Sequence, residues 1–341
     1  MDYQKVLAEL TGCDGVSGDE QAACRVAERL LKKSAREVFT DPFGNVSGTV
    51  GTHNPEKPTL LLDAHIDEIG LIVTYVTQDG FLKFSACGSV DARTLAAQAV
   101  RIYARGGEKI LNGVITSTPP HLKVGKSEAP TLEDYCIDTG LSGTQAKKLI
   151  APGDRVVMIA PLAKAGGMLT GKALDDRAGV AIVLGALEKL AGREAAYNIK
   201  VQFSAQEETG ERGAAMGAFR CEPDFALAVD VSFALTAEDK PEKCGKLGGG
   251  AMIGVAPSLD RRLSKQLESI AQAHGIPHTL EIMGGLTGTN ADAISTSRKG
   301  VRTGLVSVPL KYMHTPAEMI CAADLEHCAA LIAEFLCAEP V

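Results

Sequence analysis

The sequence predicts a mixed α/β fold, in which helices flank a mixed sheet and a small β-rich domain is inserted into the larger one. The chain has 341 residues, more than one simple core requires. Strand-like and helix-like stretches alternate in its outer parts, as they do in sheets covered by helices. Its middle part has short alternating runs separated by Gly and Pro. We therefore expect a main domain formed by residues 1–70 and 165–341, with residues 71–164 as the insert.

The first outer segment contains a predicted helix and two predicted strands. Ser17 is a candidate N-cap, Glu20 follows three residues later, and apolar residues then recur at helical spacing as far as Leu31. The stretch DPFGNVSGTVG at 41–51 indicates a turn that leads into a short strand. The stretch PTLLLDAHIDEIGLIVTYV at 58–76 predicts a buried strand that runs into acid and histidine.

The second outer segment returns to alternating helices and strands. Ligands in such sheets bind at the carboxyl ends of the strands, so polar residues at those ends are candidates for a site. The predicted elements are a helix at 178–192, strands at 198–205, 224–232 and 250–256, a helix at 260–275, a strand at 301–310 and a helix at 322–336.

Composition disfavours several classes of function. The formal net charge is -7 and Lys and Arg form no cluster, which argues against a nucleic-acid or anionic-membrane surface. Trp is absent and aromatic residues make up 4%, so base-stacking platforms are not expected. Neither a signal-peptide pattern nor a run of ~18 apolar residues occurs, so we expect a cytoplasmic protein. The nine cysteines are scattered without a C-x-x-C pair, which predicts buried free thiols.

Polar residues stand where the predicted strands and loops end. His65 and Asp67 are two residues apart in an extended stretch and therefore share one side. Each such residue alone has an ordinary structural explanation, such as a helix N-cap or a turn. Five such ends at one sheet edge, however, offer the oxygen and nitrogen ligands of a two-metal site. They carry His65 and Asp67, Asp175 and Asp176, Glu207 and Glu208, Asp230, and His314.

Charge separates the predicted metal ligands from the remaining acids. Asp175, Glu208 and Asp230 would bind as carboxylates. His65 and His314 would bind as neutral imidazoles. Two divalent cations would then leave about one net positive charge, which lowers the pKa of a bridging water and polarises a substrate carbonyl. These ligand types suit zinc, cobalt and manganese alike.

Two acids outside the ligand set have predicted catalytic roles. Glu207 fits a general base that accepts the proton of the water and passes it to the leaving amine. Gly210 and Gly213 would let the backbone turn so that the neighbouring acids both face inward. Asp67 fits the partner that fixes the tautomer of the His65 ring. The acid pair at 207–208 is thus predicted to be a base beside a ligand.

Five segments resemble the signature segments of the tetrahedral (TET) metalloaminopeptidases, whose relatives carry the names glutamyl aminopeptidase, FrvX-like protein and endoglucanase. They are AHIDEIG, GKALDDRAG, AQEETGERGA, AVDVS and VPLKYMHTPAE. The resemblance extends over nearly the whole chain. It implies a zinc-exopeptidase-like catalytic domain in the outer segments, dimerisation partly through the insert, and assembly of dimers into a tetrahedral dodecamer that admits only peptides.

The same resemblance implies how the site is divided. His65 and Asp230 would bind one metal. Glu208 and His314 would bind the other, and Asp175 would bridge the two. The resemblance also implies Glu207 as the general base and Asp67 as the acid that orients His65.

The chain departs from the family pattern near the expected pocket. Where relatives commonly read GGTDAGAI, this chain reads TGTNADAI, which brings in Asn290 and Asp292. Arg302 stands where Pro is usual, and Lys311 where Arg is frequent. No metal ligand is lost. The substrate side chain that the pocket prefers, whether acidic, basic or apolar, therefore stays open.

The predicted function is a binuclear metal-dependent aminopeptidase that hydrolyses N-terminal residues from small peptides, with a metal-bridging hydroxide as nucleophile and a Glu as general base. Two alternatives stay open. The scaffold could serve a deacylase or another amide hydrolase, because a fold can keep its metals and change its substrate. It could also be a non-catalytic metal-binding assembly protein, although such a protein would need the ligands and not the base.

Overall fold

The computed structural model describes residues 1–117, 129–237 and 239–341. The helices are α1 (Tyr3–Thr11), α2 (Gln21–Leu31), α3 (Gly143–Leu149), α4 (Leu174–Leu190), α5 (Arg212–Cys221), α6 (Arg261–Ala273), α7 (Asn290–Ser295) and α8 (Ala322–Cys337). The strands are β1 (Arg36–Thr40), β2 (Val46–Val50), β3 (Thr59–His65), β4 (Gly70–Val76), β5 (Leu82–Cys87), β6 (Ala99–Ala104), β7 (Lys109–Ser117), β8 (Tyr135–Asp138), β9 (Arg155–Met158), β10 (Ala163–Ala165), β11 (Met168–Gly171), β12 (Asn198–Ser204), β13 (Phe225–Phe233), β14 (Ala251–Val255), β15 (His278–Ile282), β16 (Arg302–Lys311) and β17 (Glu318–Cys321).

Strands from the outer segments form one large mixed sheet. Its order is β1-β2-β12-β3-β13-β16-β17-β11-β10, and β14 joins it at β16 with β15 beyond. The central strands β12, β3, β13 and β16 are parallel to their neighbours in that group. Nearly every residue in them is buried, as is typical of parallel strands covered on both faces. Because these strands run the same way, their carboxyl ends meet at one edge of the sheet.

Helices cover both faces of this sheet. Alternate residues of β3 point to opposite faces, so Leu60 and Leu62 pack in the main core with α4 and α8, while Leu61 packs against α5 and α7. Leu61 there contacts the cluster that contains Ala214 and Ile294. Burying each such leucine stabilises the fold by roughly 1.5–3 kcal/mol. The strand ends are thus held by a core on both sides.

The middle of the chain forms a closed barrel in the order β4-β5-β8-β7-β6-β9. It has its own apolar core, which is separate from the core of the large sheet. Asp14 links the two parts, because it accepts hydrogen bonds from Arg101 and Tyr103 of β6 and lies 3.1 Å from Lys172 Nζ. The predicted class, a mixed α/β fold with a small β-rich insert, is confirmed.

Two local predictions were wrong. Ser17 does not cap α2, because Glu20 holds the N-cap position without a side-chain hydrogen bond and Ser17 Oγ lies 2.8 Å from Thr209 Oγ1. The stretch 58–76 is not one strand, since β3 ends at His65 and β4 belongs to the barrel. The end of β3 and the start of β4 are both largely buried, although Thr74 and Tyr75 are exposed, so the apolar run continues across the break and periodicity alone does not reveal it.

The cysteines and the helices bear on two further expectations. All nine cysteines are free, as predicted, but only Cys24, Cys87 and Cys328 are buried and the other six are partly exposed. Within the described ranges, no helix has both the length and the apolar character needed to cross a membrane.

Candidate metal centre

The carboxyl-terminal edge of the central strands carries the candidate site. His65 is the last residue of β3 and pairs in register with Ser204, the last residue of β12. Asp230 lies near the end of the adjacent strand β13, and His314 follows the end of β16. Asp175 enters from the start of α4, where its backbone departs from helical geometry. Strands that are distant in sequence therefore bring these side chains to one place.

The Glu pair reaches this edge through the loop that follows β12. Gly210 adopts a φ of +113°, a conformation that favours glycine. Gly213 donates its N–H to the carbonyl of Ala205, and a Cβ at Gly213 would stand 2.3 Å from that oxygen. The loop closes tightly on itself for this reason, and Glu207 and Glu208 face the cavity that contains the strand ends.

The donor atoms of the predicted ligands lie close together. Nε2 of His65 is 3.0 Å from one carboxylate oxygen of Asp175, and Nε2 of His314 is 3.4 Å from the other. Nε2 of His314 is also 3.5 Å from an oxygen of Glu208. Donor atoms within 4.8 Å of one another form three groups: His65, Asp175 and Asp230; His65, Glu207 and Glu208; and Asp175, Glu208 and His314.

Asp67 contacts both the imidazole and the Glu pair. Its Oδ1 lies 3.4 Å from Nδ1 of His65, and its main-chain oxygen lies 3.2 Å from the same nitrogen. Its two carboxylate oxygens also accept the backbone N–H groups of Glu207, at 3.0 Å, and of Glu208, at 3.2 Å. The residue predicted to orient one histidine therefore also holds the loop that carries two acids.

Sequence reasoning missed a second buried carboxylate that supports the site. Glu318, at the start of β17, accepts the backbone N–H groups of Leu174 at 2.7 Å, Asp175 at 3.1 Å and His314 at 3.2 Å. It lies four residues after His314 in the segment VPLKYMHTPAE, and that spacing was the available signal. Asp176, noted only as the second acid of its pair, accepts the backbone N–H of His65 at 3.2 Å.

The electrostatics of the cluster reflect acids that are crowded and buried. Burial raises the pKa of Asp175, but hydrogen bonds with His314 and His65 outweigh this and hold that pKa well below its ordinary value. Burial, with the charge of Asp175 adding to it, keeps the pKa of both Glu208 and Asp230 well above the ordinary value. Such crowding disfavours ionised carboxylates unless positive charge is supplied among them.

Glu207 and His65 are perturbed for related reasons. Burial raises the pKa of Glu207 to about 7, although the neighbouring His65 opposes that rise. Burial lowers the pKa of His65, but hydrogen bonds with Asp175 and Asp67 raise it well above its ordinary value. Two imidazoles and four carboxylates make a donor set that suits borderline divalent cations such as zinc, cobalt or manganese. The residues present therefore fit divalent ions of this kind.

The cluster lies in a cavity of about 970 Å³. Its walls come from the cluster itself, from β13 to β16, and from the loop that precedes α7. The three charged residues that were noted as departures near the expected pocket, Asp292, Arg302 and Lys311, do not line it. Arg302 is at the opposite end of β16, paired with Asp260, and Lys311 follows the buried part of that strand. Asn290 is buried and donates to Asp63 and Ser204.

Comparisons with known proteins cover nearly the whole chain. A protein-family model described as M42 glutamyl aminopeptidase matches residues 44–331. A lysyl aminopeptidase from Pyrococcus furiosus is 31% identical over 332 residues, which cover 95% of this chain and 93% of that protein. The structure of an aminopeptidase from the archaeon Desulfurococcus kamchatkensis matches with a TM-score of 0.91 and 32% identity, over 98% of this chain and 94% of that one. The TET1 peptidase of Pyrococcus horikoshii, which can assemble into a tetrahedron or a large octahedral shell, matches with a TM-score of 0.85 and 31% identity, over 98% and 99% of the two chains.

Proposed function

The chain belongs to the M42 glutamyl aminopeptidase family and is a peptide hydrolase, and from this premise we propose that it is a binuclear metal-dependent aminopeptidase acting on short peptides. The observation that supports the proposal is that Glu207 lines the same cavity as the candidate metal donors. A site kept only for stability needs the donors, whereas a hydrolase also needs a base.

The donor groups support two cations. His65 and Asp230 would hold one, Glu208 and His314 would hold the other, and Asp175 would bridge them because it belongs to both groups. Two bound divalent cations would supply the Lewis acidity that polarises the scissile carbonyl and makes a bound water more acidic. The supporting carboxylates described above would keep these donors oriented, as partners of metal ligands commonly do.

Glu207 would move the proton. Its carboxylate lies 3.9 Å from Nε2 of His65, half-buried and open to the cavity. From this position it can take a proton from the attacking water and deliver it to the leaving amine. Asp67 holds the backbone of this residue in place. The surrounding acids would receive the α-ammonium group of the substrate and so select a free N-terminus.

The activity is tested with a panel of aminoacyl p-nitroanilides in the presence of zinc, cobalt or manganese. Glu207→Gln should lower kcat by ~10²–10⁴-fold while the protein keeps its metals, because the base is lost and the donors are not. Glu242→Gln, the same change at an exposed position of the cavity rim, should leave kcat within about twofold, since surface substitutions away from the chemistry have small effects. Binding of two metals without turnover would favour the assembly protein, and cleavage of N-acetylated substrates alone would favour the deacylase.

We also propose that the predicted insert at 71–164, to which the barrel corresponds except for its first residue Gly70, mediates dimerisation and that the dimers form a dodecamer. Tyr75, Ile110 and Val114 support this, because they are large apolar residues exposed on the barrel strands. Gel filtration that gives a 35.7 kDa monomer under every metal condition would exclude the assembly. The cytoplasmic location expected from the sequence stays a prediction.

A further inference from the structure

One carboxylate in the cavity wall has no part in the metal cluster. Glu281, on the outermost strand β15, is half-buried and lines the cavity together with the donor residues. Its Oε1 accepts a hydrogen bond from the hydroxyl of Ser232, and its Oε2 accepts one from Ser307 at 3.0 Å. Both serines are buried. Glu281 is thus held in a defined position by strands β13 and β16 rather than being a mobile surface side chain.

No cation of the described part of the chain pairs with Glu281. Its contacts are the two neutral serine hydroxyls, which occupy two of the roughly four sites at which a carboxylate accepts hydrogen bonds. Burial raises the pKa of Glu281, and the serine hydroxyls oppose that rise. A buried carboxylate is ordinarily paired with a cation or bound to a metal. Glu281 has no such partner and lines the same cavity as the candidate metal donors, as far as the described residues show.

The distance from Glu281 to the candidate metal donors is close to the length of a long substrate side chain. Ser307 is the register partner of Asp230, and Ser232 lies two residues after Asp230 on the same face. From the ~4.8 Å between strands and ~3.3 Å per residue along a strand, the carboxylate bound to these serines lies roughly 5–7 Å from Asp230. The register neighbour of Glu281 on β14 is Gly254, which has no side chain, and Leu305 of β16 lies over that glycine.

Two apolar side chains form part of the cavity wall beside Glu281. Met252 and Leu305 are buried and line the same cavity. Long cationic side chains commonly lay their methylene stems along apolar surface and place the charge at a polar end. The other charged residues of the wall outside the cluster, Glu242 and Lys243, are exposed at the rim, as far as the described residues show.

We propose that Glu281 is a specificity-determining residue that selects peptides with an N-terminal lysine or arginine. This rests on the proposed aminopeptidase function. The α-amino group of the substrate would bind among the acids of the donor cluster. The methylene stem of the N-terminal side chain would lie along Met252 and Leu305, and its ammonium or guanidinium group would pair with Glu281. An acidic side chain would place like charges together, and an apolar one would leave the half-buried carboxylate of Glu281 without a cation, so both are disfavoured.

The wild-type enzyme tests this directly, with lysyl, arginyl, leucyl and glutamyl p-nitroanilides assayed after metal loading. The lysyl and arginyl substrates should have the highest kcat/KM. Glu281→Gln should lower their kcat/KM by ~30-fold or more, as expected when one partner of a buried charge pair is removed. The leucyl substrate should change by less than about threefold. Glu242→Gln removes the same charge from the exposed rim and should leave the ratio of lysyl to leucyl activity within about twofold.

Binding provides a second measurement that does not depend on turnover. Metal-loaded Glu207→Gln protein is titrated calorimetrically with lysinamide and with leucinamide. Lysinamide should bind more tightly, and this difference should disappear in Glu207→Gln/Glu281→Gln.

The outcomes separate the two proposals. A wild-type preference for leucyl or glutamyl substrates, or an unchanged lysyl preference in Glu281→Gln, overturns the role of Glu281 and leaves the aminopeptidase function standing. Failure to cleave any aminoacyl substrate overturns both. If Glu281→Gln does not fold, the wild-type substrate ranking still decides.

Discussion

Substituting Asp67 with asparagine is the most direct test of how the site is built. Asp67 is fully buried, and each of its carboxylate oxygens accepts one backbone N–H, from Glu207 and from Glu208. Asparagine has the same shape but only one acceptor oxygen. Whichever way its amide turns, the NH₂ group faces one of these N–H donors. The substitution therefore removes one hydrogen bond and sets two donors against each other.

The magnitude follows from that geometry. Losing a hydrogen bond to a charged acceptor costs about 1.5–3 kcal/mol. If the whole loss appears in the transition state, kcat falls by roughly 10- to 150-fold. Because Glu208 is a proposed ligand and moves with the same loop, metal affinity should fall by about 10- to 100-fold as well. A variant that had simply unfolded would lose its secondary structure, whereas here kcat and metal affinity should both fall while the secondary structure is fully retained.

The assay measures kcat on an aminoacyl p-nitroanilide and metal affinity by calorimetry. Asp324→Asn is the matched control, since Asp324 is equally buried and accepts backbone N–H groups from Gly248 at 2.7 Å and Gly250 at 2.8 Å. It should cost similar stability and leave kcat and metal affinity unchanged. Wild-type values of both quantities in Asp67→Asn would refute the reasoning, as would an equal loss of activity in Asp324→Asn.

Three further outcomes are expected. Gly213→Ala should destabilise the protein by about 1–3 kcal/mol and lower activity, because its Cβ would meet the Ala205 carbonyl, whereas Gly167→Ala has open space and should be neutral in thermal unfolding. Asp14→Asn should cost about 1.5–3 kcal/mol, since it removes the charged acceptor that Arg101 and Tyr103 share with Lys172, which keeps its pair with Glu68. Burial raises the pKa of Asp14, but Lys172 and Tyr103 outweigh this and hold the pKa below its ordinary value. The loss of unfolding free energy, measured with urea, should therefore be full above pH ~4 and shrink as the pH falls below it. Chelation of the metals should lower the Tm and abolish activity, and added zinc, cobalt or manganese should restore both; an unchanged Tm would argue against bound metal.

The sequence was sufficient for the fold class and the family. Alternating strands and helices in the outer segments, with short Gly-punctuated runs between them, led to a mixed α/β fold with a β-rich insert, which the structure confirms. The five signature segments led to the TET aminopeptidase family, which the comparisons confirm. The ligand and base assignments stay predictions, although His65, Asp175, Glu208 and His314 do lie within reach of one another. The fold class and the family could be predicted because each depends on short, local patterns of residues.

Tertiary structure decided what local patterns do not encode. The apolar run at 58–76 contains no signal for its division between sheet and barrel, because the residues on both sides of the break are largely buried. Glu318 supports two proposed ligands only because β17 lies beside the start of α4. Glu281 became a candidate only when strands β13, β15 and β16 brought Ser232 and Ser307 to it. A side chain's partners across a sheet depend on strand order and register, and neither is set by the residues that flank it in the chain.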